Sequence, residues 1–254
     1  MTSQQKTLQR SRDKTNHKFT IGYTYFEEPH RLQEQMALWK KWPCNVDIFI
    51  VDDGSPNSNA YETLKHYPFE DWQPTLQLWK VPRDLGFNSH GCRNLIAKFA
   101  ETDWIQFMDI DHLLYPSDVA RLKRMKLEKY DLVHHENYSE RYQRIRSHPG
   151  HLNHFAVHKE HFWEAGGYDE SFTGHHYGDR EFLERLYLTT KRKVKSNLIL
   201  QCTREGRHGS VTNKVDKTEY ISDDFFYAPM GIERIEKLKG TKKQRLDFPF
   251  IRIL

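Results

Sequence analysis

Four short apolar segments recur along the first half of this chain, and the pattern between them is helical. The segments, which we predict as strands, are Phe19–Tyr25, Val46–Val51, Leu76–Val81 and Trp104–Met108. Apolar residues at helical spacing predict the connecting helices, which run from Pro29 to before Pro43, from Asn59 to His66 and from Asn88 to Ala100. This alternation favours an α/β fold with a mostly parallel sheet flanked by helices.

The second half of the chain is less regular. Its predicted strands are Asp131–His135, Asn153–Val157 and Val194–Cys202, and its predicted helices are Ser117–Lys126, Lys159 to the Gly166-Gly167 pair, Asp179–Leu188 and Met230–Lys239. No linker in it is long enough to demand two independent domains. We therefore expect a flexible arm at 1–17, a single domain at 18–240 and a tail at 241–254.

Charge and cysteine content disfavour several classes of protein. The 39 basic and 35 acidic residues give a net charge of +4, which indicates a mixed surface and not a nucleic-acid footprint. Three widely separated cysteines are typical of free thiols in a reducing compartment. No run approaches the ~20 apolar residues of a membrane span, and the polar N-terminal stretch lacks the apolar core of a secretory signal. We expect a cytoplasmic protein with no integral membrane segment.

The C-terminal residues Leu246–Leu254 are apolar enough to require a surface to pack on. Packing on the body of the domain is the default interpretation. A partner subunit, and so a homo-oligomer, is one alternative. A lipid-linked acceptor, with peripheral association at the inner membrane face, is the other.

Two carboxylates, Asp109 and Asp111, follow the fourth predicted strand. Side chains at i and i+2 of an extended segment point to the same side, so the pair is expected to converge on one point. Such carboxylates repel unless a hard cation with oxygen ligands, such as Mg2+ or Mn2+, lies between them. The carboxyl ends of strands are also where open α/β sheets bind ligands. The alternative is an acidic turn that caps the helix after Pro116.

An acidic turn, Asp52-Asp53-Gly54-Ser55, closes the second strand. Gly54 permits a tight turn, and a carboxylate at a strand tip can accept a hydrogen bond from a base N–H or a ribose hydroxyl. The alternative is an ordinary turn in which Asp or Ser caps a helix. The chain contains neither the glycine fingerprint of dinucleotide-binding folds nor a P-loop, which disfavours both classes.

Glycines and aromatic residues cluster between Gly166 and Phe182. Such residues leave room for a sugar and offer flat faces for its CH groups. Asp179 lies at the start of the helix predicted there, where the helix dipole favours an ionised carboxylate. An ionised carboxylate next to a hydroxyl is what a general base requires. A simple N-terminal helix charge is the alternative.

The chain has 15 histidines, most of which we expect at the surface or near an acceptor. Those without a convincing metal-ligand spacing are His134, His135, His148, His151, His154 and His158. His208 differs because it lies in a cationic loop after the last predicted strand, where it could fold over a nucleoside diphosphate. A solvent-exposed loop histidine is the alternative.

Taken in order, these segments resemble the inverting glycosyltransferases of the GT-A fold, particularly family 2-like enzymes. The resemblance rests on Tyr23 to Glu28, Val51 to Ser55, Leu85 to Asn94, Asp109 to Asp111, Gly166 to Glu170 and Asp179 to Phe182. It implies a Rossmann-like nucleotide-binding sheet in a single domain. Residues 18–115 would form the nucleotide-sugar-binding half, and residues 116–240 the acceptor and catalytic half.

The resemblance also implies roles for residues on the donor side. The donor-binding residues would be Tyr25, Asp53, Arg93 and Asp109, and the metal ligands would be Asp109, Asp111 and His208. Tyr25 and Asp53 would lie near the base, with Asp53 accepting the N3–H of a uracil-type base. Arg93 would organise the donor side. The metal, Mn2+ or Mg2+, would offset charge on the departing nucleoside diphosphate.

On the acceptor side, the resemblance implies that Asp179 deprotonates the acceptor hydroxyl for in-line attack at the anomeric carbon. The family often has a Glu-Asp pair before this helix, whereas Gly178 precedes Asp179 here. Glu181 therefore stays an alternative base. The implied donor is a nucleoside-diphosphate sugar, with UDP-sugar favoured, and the implied acceptor is a glycan or glycoconjugate, including a lipid-linked glycan.

Two other functions use a similar scaffold. A sugar-nucleotide nucleotidyltransferase would usually place a glycine-rich basic loop after the first strand, where this chain has Glu27-Glu28-Pro29. A non-catalytic carbohydrate-binding protein would not need Asp109, Asp111 and Asp179, all of which are present. Both alternatives are disfavoured, and neither is excluded by the sequence.

Overall fold

The computed structural model describes residues 17–41, 46–67, 74–139, 144–146, 152–173, 178–202, 246 and 248–254. The strands are β1 Phe19–Tyr25, β2 Asp47–Asp52, β3 Thr75–Lys80, β4 Trp104–Asp109, β5 His112–Leu113, β6 Asp131–Ser139, β7 Arg144–Arg146, β8 Phe155–His158, β9 Arg192–Cys202 and β10 Ile251–Arg252. The α-helices are α1 Pro29–Lys41, α2 Ala60–Leu64, α3 Ser89–Phe99, α4 Pro116–Leu122, α5 Lys159–Glu164 and α6 Gly178–Thr189.

The ten described strands form one sheet that includes both halves of the chain. Its order is β10-β3-β2-β1-β4-β8-β6-β9-β5, and β7 pairs with β6. The segment β3-β2-β1-β4 is parallel throughout, and β8 joins it antiparallel to β4. The predicted α/β class with a mostly parallel, helix-flanked sheet is confirmed.

The parallel register brings the acidic strand ends to one edge of the sheet. Tyr25 of β1 is level with Asp52 of β2, and Thr24 is level with Asp109 of β4. Strand β1 is buried along almost its whole length, as expected for a central parallel strand, although Thr20, Gly22 and Thr24 alternate with its apolar residues. The polar groups that follow β2 and β4 therefore lie on either side of the end of β1.

The sheet is covered by helices on both faces. Helices α1, α2 and α4 bury Leu32, Met36, Trp39, Leu64 and Leu122 against one face. Helices α3, α5 and α6 bury Leu95, Ile96, Phe162, Phe182 and Leu186 against the other. Two well-packed layers of this kind fix the positions of α3 and α6, which carry the charged residues of the candidate site.

The elements differ from the sequence predictions mainly in the second half. Strand β6 continues to Ser139, α4 ends already at Leu122, and β5, β7 and β10 were not predicted. Strand β4 ends at Asp109, and Asp111 lies in the turn that follows it. The expectation that Asp109 and Asp111 project from one extended segment is therefore wrong. The helix predicted at Met230–Lys239 lies outside the described residues.

The described residues of the C-terminal tail pack on the body of the domain. Strand β10 pairs antiparallel with the edge strand β3, and Ile253 donates its backbone N–H to Leu78. Phe250 lies against Trp79 and Phe99, with ring centroids 5.7 and 5.9 Å away. The default interpretation of the tail agrees with this packing. Among the helices that the structure describes, none is long and apolar enough to cross a membrane.

A close contact between β1 and α3 yields a test of the fold. A Cβ added at Gly22 would lie 2.6 Å from Ile96 Cγ2, so Gly22→Ala should force the helix away from the sheet. We expect a loss of about 1–3 kcal/mol in the free energy of unfolding, measured by urea denaturation. The loss should be smaller in an Ile96→Ala background. An equal loss in both backgrounds would contradict this account of the packing.

Candidate active site

The two aspartates after β2 have different surroundings. Asp52 Oδ1 accepts the backbone N–H of Ser55 at 2.8 Å, and its Oδ2 accepts that of Ala60 at 2.7 Å. Asp52 therefore holds the turn closed and accepts from the first residue of α2, whose N-cap is Asn59, in agreement with the structural interpretation of this motif. Gly54 makes the turn possible because its φ is +76° and the Arg83 carbonyl occupies the space of a Cβ.

Asp53 is almost completely buried, and its two oxygens differ. Its Oδ2 accepts the backbone N–H of Asn88 at 2.8 Å, whereas Oδ1 has no partner among the described residues that meets the geometry of a hydrogen bond. Burial raises the pKa of Asp53 well above its usual value of 3.8, and the Asn88 N–H and the neighbouring Cys92 thiol oppose this rise only in part. An unsatisfied buried acceptor is the group that a ligand N–H would complement.

Tyr25 is placed at the carboxyl end of β1, where the resemblance expected it. Its side chain is only 1% exposed, and its hydroxyl donates to the Ser58 carbonyl. Burial raises the pKa of this hydroxyl. The contact with a nucleotide base stays a prediction, and the structural role of Tyr25 is to fix the loop that follows Asp53.

Arg93 joins the metal-side aspartate to the candidate base. This buried guanidinium donates from Nη2 to Asp109 Oδ1 at 2.6 Å and from Nη1 to Asp179 Oδ1 at 2.5 Å. Its Cζ atom also lies 5.4 Å from the centre of the Tyr168 ring. Burial opposes the charge, but Asp179 and then Asp109 outweigh it and raise the pKa of Arg93. The three residues therefore form one ionic unit at the sheet edge.

The carboxylate of Asp109 accepts hydrogen bonds on both oxygens. Oδ1 is bonded to Arg93, and Oδ2 accepts from the Asn153 amide at 2.8 Å. His154 Nε2 lies 3.6 Å from the same Oδ2. Asp109 thus connects α3 with the segment that enters β8.

Asp111 lies beside two imidazoles. Its Oδ1 is 2.7 Å from His112 Nδ1, and the His112 and His154 ring centroids are 4.0 Å apart in an edge-to-face arrangement. One ligand atom from each of Asp111, His112 and His154 lies within 4.8 Å of the others, and all three residues are buried. The sequence assigned no ligand role to His112, and it placed His154 among the histidines without a convincing ligand spacing along the chain.

The glycine-rich turn before α6 packs tightly on α3. Asn94 accepts the backbone N–H of Tyr168 at 2.8 Å and donates to the Tyr168 carbonyl at 2.8 Å and to Glu170 at 2.9 Å. A Cβ at Gly167 would lie 2.6 Å from the Trp163 ring. Gly167 therefore permits close packing, and Tyr168 and Phe172 are core residues, which differs from the expected open sugar platform. Residues 174–177 lie outside the described part.

Gly178 explains how Asp179 reaches Arg93. A Cβ at Gly178 would lie 2.5 Å from His90 Nε2 and 2.7 Å from its Cδ2, so a larger residue would displace α6 or the imidazole. His90 Nε2 is also 3.9 Å from Asp179 Oδ1. The first turn of α6 thus approaches α3 closely enough for the ion pair to form.

A family model and solved structures can now be compared with this geometry. The model described as "Glycosyl transferase family 2" matches residues 23–187, which include β1 to most of α6. The chain belongs to glycosyl transferase family 2. It is therefore a glycosyltransferase by family, and its matched region contains Asp53, Arg93, Asp109 and Asp179. A search of curated proteins by sequence gave no match.

Solved glycosyltransferases share the fold of this family 2 member. Mannosyltransferase PcManGT from Pyrobaculum calidifontis, in complex with GDP-Man and Mn2+, has a TM-score of 0.59 and 12% identity, covering 76% of this chain and 58% of its own. S. aureus TarS 1-349 in complex with UDP-GlcNAc has a TM-score of 0.60 and 15% identity, covering 87% of this chain and 66% of its own. GalNAc-T7 with UDP, GalNAc and Mn2+ has a TM-score of 0.52 and 12% identity, covering 75% of this chain and 43% of its own.

The chain spans less than two thirds of the length of each of these three proteins. At 12–15% identity, the likeness shows the GT-A fold alone. The fold and the enzyme class predicted from the sequence are confirmed. The individual site residues stay predictions, and His208 lies outside the described residues.

The alternative base, Glu181, has a different environment in this transferase. It is buried and forms a bidentate pair with Arg185, with distances of 2.6 and 2.7 Å. Arg185 also donates to the Ala165 carbonyl. Glu181 therefore ties α6 to the end of α5, whereas Asp179 lies on the Arg93 side of the same helix.

The raised pKa of Asp53 gives a stability test with a defined sign. A folded-state pKa above the unfolded value means that the unfolded chain releases this proton first, so stability should fall as pH rises above about 4. Asp53→Asn removes this contribution. The stability of the variant relative to the parent chain should increase as the pH is raised above about 4, as measured by urea denaturation. Asp103→Asn, at an exposed carboxylate, is the matched control, and an equal trend there would contradict the assignment.

The contact between Gly178 and His90 gives a test of activity. Gly178→Ala should displace Asp179 by part of an ångström and lower kcat by about 10- to 100-fold, because catalytic geometry tolerates little displacement. The KM for the donor should change little. A His90→Ala background leaves room for the methyl group, so the alanine at 178 should have a smaller additional effect there. The same additional loss in that background would show that His90 is not the cause.

Proposed function

We propose that this transferase moves a sugar, with inversion, from a nucleoside-diphosphate sugar to a hydroxyl of a glycan or glycoconjugate, with UDP-sugar as the favoured donor. The observation that carries the proposal is the Arg93 bridge between Asp109 and Asp179. It joins the strand end where α/β sheets bind ligands to a carboxylate that can act as a base. Binding of Mn2+ and nucleotide sugars by proteins of the same fold supports it.

Asp179 is the proton acceptor in this mechanism. Arg93 and His90 both approach its Oδ1, which orients the carboxylate and leaves Oδ2 for the acceptor hydroxyl. Oδ2 takes the hydroxyl proton as the acceptor oxygen attacks the anomeric carbon. The bond from that carbon to the diphosphate oxygen breaks, and its electron pair leaves with the nucleoside diphosphate. Attack from the face opposite the leaving group inverts the anomeric configuration.

The donor side begins at Asp53. Its unsatisfied Oδ1 suits an N–H donor such as the N3–H of uracil, and Tyr25 holds the neighbouring loop. Asp111 is the carboxylate that we assign to Mn2+ or Mg2+. A bound divalent metal would stabilise charge on the departing diphosphate.

The environments of Asp179 and Glu181 favour Asp179 as the base. Both oxygens of Glu181 already accept from Arg185, and the pair is buried. Removing a proton from an acceptor would require Glu181 to break this pair and leave Arg185 buried without a counter-ion, which is unfavourable by about 3–5 kcal/mol. Asp179 is partly exposed and needs no such rearrangement.

The main test is a comparison of Asp179→Asn with Glu184→Gln on the same helix. Asparagine keeps the shape of Asp179 but cannot accept the proton, so kcat should fall by about 100- to 10,000-fold with a small change in donor KM. Glu184, on the outer face of α6, forms an i,i+4 pair with Arg180 and with no other ionic group in the part of the chain that the structure describes, and its variant should keep nearly full kcat. Activity is measured as nucleoside diphosphate released from UDP-, GDP- and TDP-sugars, with and without Mn2+.

Product analysis separates this function from its alternatives. A nucleotidyltransferase would release pyrophosphate from a nucleoside triphosphate, and a non-catalytic binding protein would release nothing. The anomeric configuration of the product, read by NMR, tests inversion. Full activity of Asp179→Asn, or retention of configuration, would overturn the mechanism.

A further inference from the structure

We infer that the divalent metal is held by Asp111, His112 and His154, and that Asp109 is not one of its ligands. This inference rests on the proposed function, because that function is what requires a metal. It replaces the aspartate pair expected from the sequence with one carboxylate and two imidazoles. It also assigns His112 and His154 as the ligands that accompany Asp111.

The spacing of the three side chains fits one ion. Ligand atoms that share a metal at about 2.0–2.2 Å lie roughly 3–4 Å from each other. One oxygen or nitrogen from each of Asp111, His112 and His154 lies within 4.8 Å of the other two. A metal would therefore need only small side-chain rotations, in which it replaces the direct contact between Asp111 Oδ1 and His112 Nδ1.

The fold brings these ligands together from separate segments. Asp111 lies in the turn after β4, His112 begins β5, and His154 immediately precedes β8. The pairing of β5 with β9 and of β8 with β4 fixes two of these segments on the sheet. Because the backbone of each ligand is anchored at a strand end, the site is held by the sheet and not by a mobile loop.

Asp109 has other partners and another function. Arg93 and Asn153 each donate to one of its oxygens, and among the described residues Asp109 is not part of the group whose ligand atoms all lie within 4.8 Å of one another. Its Oδ2 is 3.6 Å from His154 Nε2. Asp109 thus lies between the proposed metal site and Arg93, as a positioning residue that contacts a ligand histidine.

This ligand set has a consequence for metal preference. Imidazole suits Co2+ and Zn2+, whereas Mg2+ and Mn2+ prefer carboxylate and water oxygens. Two buried imidazoles with a single carboxylate therefore favour a later transition metal. We expect the chain to bind Co2+ at least about tenfold more tightly than Mn2+ or Mg2+, and this gap should be wider than at a site with carboxylate and water ligands alone.

Metal binding by the whole chain, without any nucleotide sugar, tests the inference. Co2+ is titrated by visible absorption, since its ligand-field bands report nitrogen ligands, and Mn2+ and Mg2+ are titrated by calorimetry. His154→Gln and His112→Gln should each weaken Co2+ binding by about 100-fold or more and change the bands. Asp109→Asn should keep the bands and weaken binding by no more than about tenfold, because Asp109 contacts His154 and is not itself a ligand. His30→Gln, at an exposed histidine of α1, is the matched control.

Circular dichroism of each variant checks its folding, and an experiment on the parent chain avoids variants altogether. Coordination to Co2+ shifts the ring N–H signals of bound imidazoles far downfield in the NMR spectrum, so two such signals should appear at equal concentrations of metal and protein. Loss of Co2+ binding in Asp109→Asn with retention in folded His154→Gln would overturn the inference. Absence of a shifted imidazole pair would do the same.

The outcomes also distinguish this inference from the proposed function. If sugar transfer depends on metal but His112→Gln and His154→Gln keep the metal affinity of the parent chain, the ligand assignment is wrong and the proposed function is supported. If tight Co2+ binding depends on both histidines but no nucleotide sugar is turned over, the metal site is supported and the proposed function is wrong.

Discussion

The guanidinium of Arg93 is the interaction on which the rest of the site depends. It is buried, and a buried cation is stable only when anionic partners replace the water it has lost. Asp109 and Asp179 are those partners, one at the end of β4 and the other in the first turn of α6. Two segments that are seventy residues apart in the chain therefore meet at one guanidinium. Neither carboxylate can move far without leaving the Arg93 charge exposed or without a partner.

One face of α3 provides most of this organisation. His90, Arg93 and Asn94 are three and four residues apart, so they lie on the same side of the helix. His90 sets the closest approach of Gly178, Arg93 binds Asp179, and Asn94 binds both backbone groups of Tyr168. The close packing of Gly22 on Ile96 holds this helix against β1. Tyr168, Gly178 and Asp179 of the second half of the chain are thus positioned by a helix of the first half.

The sequence predicted the features that depend on strand ends and missed those that depend on strand pairing. The parallel strands and the positions of Asp53 and Asp109 follow from apolar periodicity and from where each segment stops. Asp179 was recognised from its place at the start of a helix. His154 carries no such signal, because its proximity to Asp111 arises only when β8 pairs antiparallel with β4. The i, i+2 argument failed for Asp111 because β4 ends at Asp109 and the chain turns there.

The same contacts connect the proposed metal site with the candidate base. His154 Nε2 lies 3.6 Å from Asp109 Oδ2. Arg93 Nη2 lies 2.6 Å from Asp109 Oδ1, and Arg93 Nη1 lies 2.5 Å from Asp179 Oδ1. If His154 binds the metal, a shift of its ring changes the surroundings of Asp109, and Arg93 passes the change to the base. Arg93 is therefore the group through which the two sites meet, and coupling between them requires in addition that this set of charges has a second stable arrangement.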